Sequence, residues 1–181
     1  TFLAPPRAGA IITNIEPDHL DHHGSFEALL DAFQRFGEET DGPVLVCADD
    51  VGAAPLLDTV ATSYSYGTSA LASFMIGDIE TGADGTRWTV TDLDGVVHPL
   101  SIGLPGHHLV LNATAAFALA TMIGADPVGA AAGIARYAGV GRRFEARGEA
   151  GGVSFVDDYA HMPTEVRAVL QAARTAAGAG R

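Results

Sequence analysis

Apolar positions along this chain follow two periodicities, and their alternation predicts an α/β fold. Ala10, Ile11 and Ile12 form a short run that reads as a strand over 10–14. Phe26, Leu29, Leu30, Phe33 and Phe36 then recur at helical spacing, with Glu27 and Glu38 on the polar side and Ser25 placed as an N-cap. That predicts a helix to about Glu39. The run 42–48 reads as a second strand, with Asp49 and Asp50 at its exit and a short helix through Leu57. These pieces make a βαβ unit.

From Thr62 to Ile102 the texture changes to short runs rich in β-branched and aromatic residues, over 64–66, 74–79, 87–93 and 96–102. Gly85 and the pair Asp94-Gly95 punctuate them as hairpin turns. The expectation is a mostly parallel sheet flanked by helices, with an added antiparallel strand region. Trp88 and Val90 alternate with Thr89 and Thr91, so one face is buried and the other wet. The loop Gly103-Leu104-Pro105-Gly106 opens into an Ala-rich helix to about Ala120, and a second helix over 127–137 ends at Gly139. A last unit has a strand over 153–156, the loop 157–163 and a helix from Thr164 to about Ala176, with Pro163 and Glu165 as start signals.

With 181 residues, 48% hydrophobic and 18% charged, the chain has material for one globular domain and part of a second. The single cysteine, Cys47, lies inside an apolar run and reads as a buried strand thiol of a reducing compartment, so a cytoplasmic location is expected. No stretch has the pattern of a signal peptide. The longest apolar run, 109–125, is interrupted by Asn112 and Thr114 and reads as a buried helix, so no membrane partner is expected.

Charge narrows the ligand classes. The formal net charge is −12, and the ten basic residues are all arginine. Such a surface excludes broad binding to a nucleic-acid backbone, which needs cations spread along a face. A single nucleotide remains compatible, because one triphosphate needs only local arginines, a helix N-terminus and a metal. Without lysine, a G-x-x-x-x-G-K-[ST] phosphate loop cannot lie within these residues.

Four segments concentrate polar chemistry. The first, TNIEPDHLDHHG over 13–24, offers Glu16, Asp18, His19, Asp21, His22 and His23 at a strand exit, the mixture suited to a divalent metal or to proton transfer. Asp and His also serve there as turn formers and helix caps. In LPGHHLVLNATAA, Asn112 is an amide in an otherwise apolar helix, and it either caps locally or points at a ligand. In GVGRRFE, Arg142 and Arg143 either pair with Glu145 or present one guanidinium to a phosphate. VDDYAHMPTEV places Asp157, Asp158, Tyr159 and His161 at another strand exit.

In order and approximate spacing, these four segments resemble the Mur ligases, over essentially the whole chain. The resemblance implies a central ATPase domain over 1–143 that lacks its phosphate loop, and the start of the C-terminal domain over 144–181, beginning with one β-loop-α unit of a second α/β domain. It implies that the phosphate loop and a magnesium-binding glutamate lie upstream, and that this chain alone is inactive. His19 matches the family histidine that holds Mg2+, and Asn112 an asparagine near the adenine of ATP. Arg143, or less closely Arg142, matches the arginine that reaches the phosphates, Asp158 the aspartate at the ribose, and His161 with neighbouring Tyr159 the domain-junction histidine loop. His19, Arg143 and His161 are the implied catalytic residues.

Two positions depart from the family pattern. Leu109 stands where an asparagine is usual, and Met162 replaces the second of two histidines. Pro163-Thr164-Glu165 leans toward the alanine-adding branch, which implies UDP-N-acetylmuramate and L-alanine as substrates of the intact, peptidoglycan-building enzyme. Murein peptide recycling within the same family is the alternative. From different classes come a metal-dependent hydrolase built on DHLDHH, whose register departs from H-x-H-x-D-H because Asp21 replaces the second histidine, and a catalytically silent binding module.

Overall fold

The computed structural model describes residues 3, 6–18, 20–82 and 85–178. Within them a six-stranded sheet runs in sequence order: β1 (Ala10–Ile12), β2 (Val44–Cys47), β3 (Ser63–Gly67), β4 (Phe74–Gly82), β5 (Gly85–Thr91) and β6 (Val97–Ile102). Strands β1 to β4 pair in parallel, while β4, β5 and β6 form an antiparallel meander. The segment around Tyr64 to Tyr66 therefore corrects the expectation from sequence, since β3 belongs to the parallel part. Its aromatics fit either direction. What decides is that a crossover through α3 (Leu56–Thr59), rather than a tight turn, precedes it.

Helices cover both faces. On one side lies α2 (Phe26–Glu38), whose N-cap Ser25 accepts from the Ala28 amide as expected. Its apolar stripe, including Leu29 and Phe33, packs on Ala10, Ile12, Val44 and Val46. On the other lie α4 (His107–Met122) and α5 (Pro127–Ala135), against Leu45, Cys47, Trp88 and Val90. Alternate residues of β2 thus enter opposite cores, which is why all four are buried. Burial pushes the Cys47 thiol above its ordinary pKa. Trp88 and Val90 are buried as predicted, and the Trp88 indole N–H donates to Thr114 Oγ1 of α4 at 3.0 Å. No helix among the described residues is long and apolar enough to cross a membrane.

The chain then leaves the sheet through 139–144 and forms an antiparallel hairpin, β7 (Glu145–Ala150) with β8 (Val153–Asp157), followed by α6 (Pro163–Ala177). Strand β7 was not anticipated. Its sequence, Glu-Ala-Arg-Gly-Glu-Ala, has neither β-branched nor aromatic residues. It forms because β8 supplies a partner across a Gly151-Gly152 turn, where both glycines take positive φ. The short α1 (Leu20–His23) was also unforeseen.

Candidate functional site

A cleft of about 520 Å3 opens at the carboxyl ends of β1 and β2, between the first turns of α4 and α6. Its floor is set by backbone satisfaction. Asp50 Oδ1 accepts from the amides of Ile15, Gly52 and Ala53 at 3.1, 3.1 and 2.8 Å, tying the β1 exit to the β2 exit. Gly52 lies so close under the Ile15 carbonyl that a Cβ there would collide with it. Both carboxylate oxygens of Asp49 accept from the Thr68 amide, which links the β2 and β3 exits. These two aspartates shape the floor.

Above the floor, Asn14 is held at both ends of its amide. Thr13 Oγ1 donates to its Oδ1 at 3.0 Å, and its Nδ2 donates to Glu16 Oε1 at 3.3 Å. Glu16 Oε2 in turn accepts from Thr164 Oγ1 at 2.7 Å, so the first strand exit is bonded to the first turn of α6. That first turn carries Glu165 at the third helical position. Its carboxylate accepts from the amides of His161 and Met162, at 3.0 and 3.2 Å, and approaches the Arg143 guanidinium at 3.9 Å. The His161 amide first, then Met162, the His161 ring and Arg143, hold the Glu165 carboxyl below its usual range despite partial burial.

The junction 139–144 is bent by the same kind of contact. Arg142 and Phe144 adopt left-handed backbone angles, φ of 61° and 49°, which cost a non-glycine residue on the order of 1–3 kcal/mol each. Opposing hydrogen bonds hold them. Phe144 N donates to Asp158 Oδ2 at 2.7 Å, Arg142 N to Glu145 Oε2 at 2.8 Å, and Tyr159 N to the Arg142 carbonyl at 2.9 Å. Asp158 Oδ1 also takes the Ala160 amide at 2.7 Å. Asp158 is therefore a hub for the junction as well as part of the cleft wall.

Of the residues singled out from sequence, the cleft brings together Glu16, Asn112, Arg143 and Asp158, one from each of the four polar segments. Arg142 turns elsewhere, with its guanidinium 4.8 Å from the centre of the Tyr159 ring. Tyr159 and His161 stand outside the cleft lining, their rings 5.5 Å apart and largely exposed. Glu145 pairs with Arg147 at 2.9 Å, a partner the sequence reading did not consider. His19 lies outside the described residues. His22 and His23 meet edge to face at 4.9 Å on α1.

Several cleft residues carried no functional reading from sequence, His108 and Thr164 among them. His108 is only half-exposed, in the first turn of α4 beside Asn112. Burial above all, then His107 and Arg143, push its imidazole below the ordinary histidine value against the upward pull of Asp158. That favours the neutral ring, which can accept as well as donate. Its signal in the sequence was the His107-His108 pair directly after a glycine loop. A second cavity, about 320 Å3, adjoins the first and shares Asn14, Glu16, Thr164 and Glu165 with it.

An open, mainly parallel sheet with a polar cleft at its strand ends, overhung by a second small unit, defines an α/β protein of the ligand-binding, strand-exit class. Within that class the chain belongs to the Mur ligase family: the Mur ligase middle domain matches residues 3–120, and the Mur ligase, glutamate ligase domain matches residues 142–181. It is 46% identical over 177 residues to UDP-N-acetylmuramate–L-alanine ligase of Kineococcus radiotolerans, covering 94% of this chain and 37% of that protein. It is 44% identical over 183 residues to the ligase of the same name from Clavibacter michiganensis, covering 100% and 38%. The crystal structure of UDP-N-acetylmuramate-alanine ligase MurC from Thermotoga maritima superposes with a TM-score of 0.80 at 28% identity, covering 94% of this chain and 39% of that one. The chain thus spans somewhat more than a third of the length of these relatives. Family membership replaces the metal-dependent hydrolase alternative.

Proposed function

We propose that this chain is the nucleotide cleft and domain junction of an ATP-dependent ligase that joins L-alanine to UDP-N-acetylmuramate in peptidoglycan synthesis. The observation that carries the reading is the convergence of Asn112, Arg143 and Asp158 on one cleft of a size suited to a nucleotide. Relatives at 41–46% identity carry the alanine-ligase name, which favours this branch over murein peptide recycling. On this reading residues 1–143 are part of the central domain and 144–181 begin the C-terminal one.

The reaction forms an acyl phosphate on the muramate carboxylate, and the alanine amine then displaces phosphate. Such chemistry rests on positioning and on charge that offsets developing negative charge. Asn112 would read the base, Asp158 the ribose hydroxyls, and Arg143 the phosphates. The Asp158 oxygens already accept two amides, and their remaining lone pairs suit hydroxyl donors. Arg142 and Tyr159 brace the junction beside the nucleotide. His161 stands on the exposed side of the junction, where an incoming substrate would meet it.

Among the described residues no group of three metal-binding side chains converges. Mg2+ needs none, since it retains water and takes phosphate oxygens with one or two protein ligands. His19 is the proposed protein ligand, and bound Mg2+ would neutralise phosphate charge. The test is L-alanine-dependent phosphate release by the complete polypeptide carrying these residues. The expected result is release that requires ATP, Mg2+ and UDP-N-acetylmuramate together, while the 181-residue chain alone releases none. Release independent of UDP-N-acetylmuramate would overturn the assignment.

A further inference from the structure

The two asparagines of the cleft are held very differently. Asn14 is locked by Thr13 and Glu16, which fixes where its carbonyl and its amine point. Asn112 is solvent-exposed, and among the described residues no hydrogen bond engages its amide. The side chains that line the cleft near it on the same helix are Leu109, Leu111 and the neutral-leaning His108. Leu104 and Tyr137 also line the cleft, with Leu104 packed close to Gly139 of the junction.

Resting on the nucleotide reading above, we infer that Asn112 is a flippable amide, so this cleft discriminates poorly between 6-amino and 6-oxo purine nucleoside triphosphates. A carboxamide is complementary to both edges. In one orientation its oxygen accepts from the adenine 6-amino group while its NH2 donates to N1. Rotated by 180°, the NH2 donates to a 6-oxo group and the oxygen accepts from N1–H. Strong discrimination requires a polar group fixed so that the wrong base leaves it unpaired. An amide free to turn meets no such penalty, and leucines around it supply contact area that is indifferent to the 6-substituent.

The experiment measures kcat/KM with ATP and with ITP for the complete polypeptide carrying these residues, and repeats both with Asn112→Leu. The expected result is a ratio within about tenfold, a factor worth one ordinary hydrogen bond, and a similar loss for both nucleotides in Asn112→Leu. A preference for ATP beyond tenfold overturns the inference, as does a variant that loses ATP use while keeping ITP use. If Asn112→Leu and Arg143→Ala both leave KM for every nucleotide unchanged, the nucleotide reading of the cleft itself fails, and the inference falls with it.

Discussion

Thr164 Oγ1 donates to Glu16 Oε2 at 2.7 Å, joining the first turn of the last helix to the exit of the first strand across 148 residues of sequence. Both residues line both cavities, so the bond stands at the wall between them. It couples the second unit to the sheet domain where ligand chemistry is expected.

Removing that hydroxyl should loosen the junction without unfolding the sheet. Thr164→Val is expected to lower stability by only about 1 kcal/mol, because the pair is exposed. It should accelerate amide exchange over 158–166 while leaving β2 and α4 unchanged. Equal acceleration in all three segments, or in none, would remove the bond's role as a latch.

The neighbouring arginines should separate cleanly. On the nucleotide reading proposed above, Arg143→Ala in the complete polypeptide is expected to lower kcat/KM for ATP by about tenfold or more, because a charge-assisted phosphate contact would be lost. Arg142→Ala removes a guanidinium stacked on Tyr159, worth roughly 0.5–1 kcal/mol at an exposed site, and should alter stability more than nucleotide use. Steady-state kinetics beside urea denaturation tests both. Reversed phenotypes would exchange the two assignments.

In the core, Thr114→Val leaves the buried Trp88 indole N–H without its partner. The expected cost is about 1–3 kcal/mol. Trp88 is the only tryptophan, so its fluorescence reports the change directly during denaturation. A loss below about 0.5 kcal/mol would mean that the hydrogen bond is replaceable.

His108 makes a prediction about pH. Its folded pKa lies below its unfolded value of about 6.5, so the unfolded chain binds more protons as pH falls through that range. Stability should therefore decline as pH drops below about 6.5, until the folded pKa is passed. His108→Asn should flatten that limb. The comparison is denaturation midpoints of the two proteins from pH 5 to 8, and parallel curves would show that His108 does not contribute.

Local pattern determined much of this protein by itself. The Ser25 cap and the helical spacing from Phe26 to Phe36 set α2, and the alternation around Trp88 and Val90 set the buried face of β5, because both signals depend on neighbours only a few residues away. Four short segments also carried the family resemblance. Tertiary structure decided the rest. Whether β3 runs parallel depends on a crossover, and β7 exists only because β8 pairs with it. Adjacent in sequence, Arg142 and Arg143 could not be told apart until left-handed angles at 142 and 144 turned one onto Tyr159 and the other into the cleft. His108 and Thr164 gained their places for the same physical reason. A cleft is built by strand exits and helix starts distant in sequence, and only packing fixes which of their side chains meet.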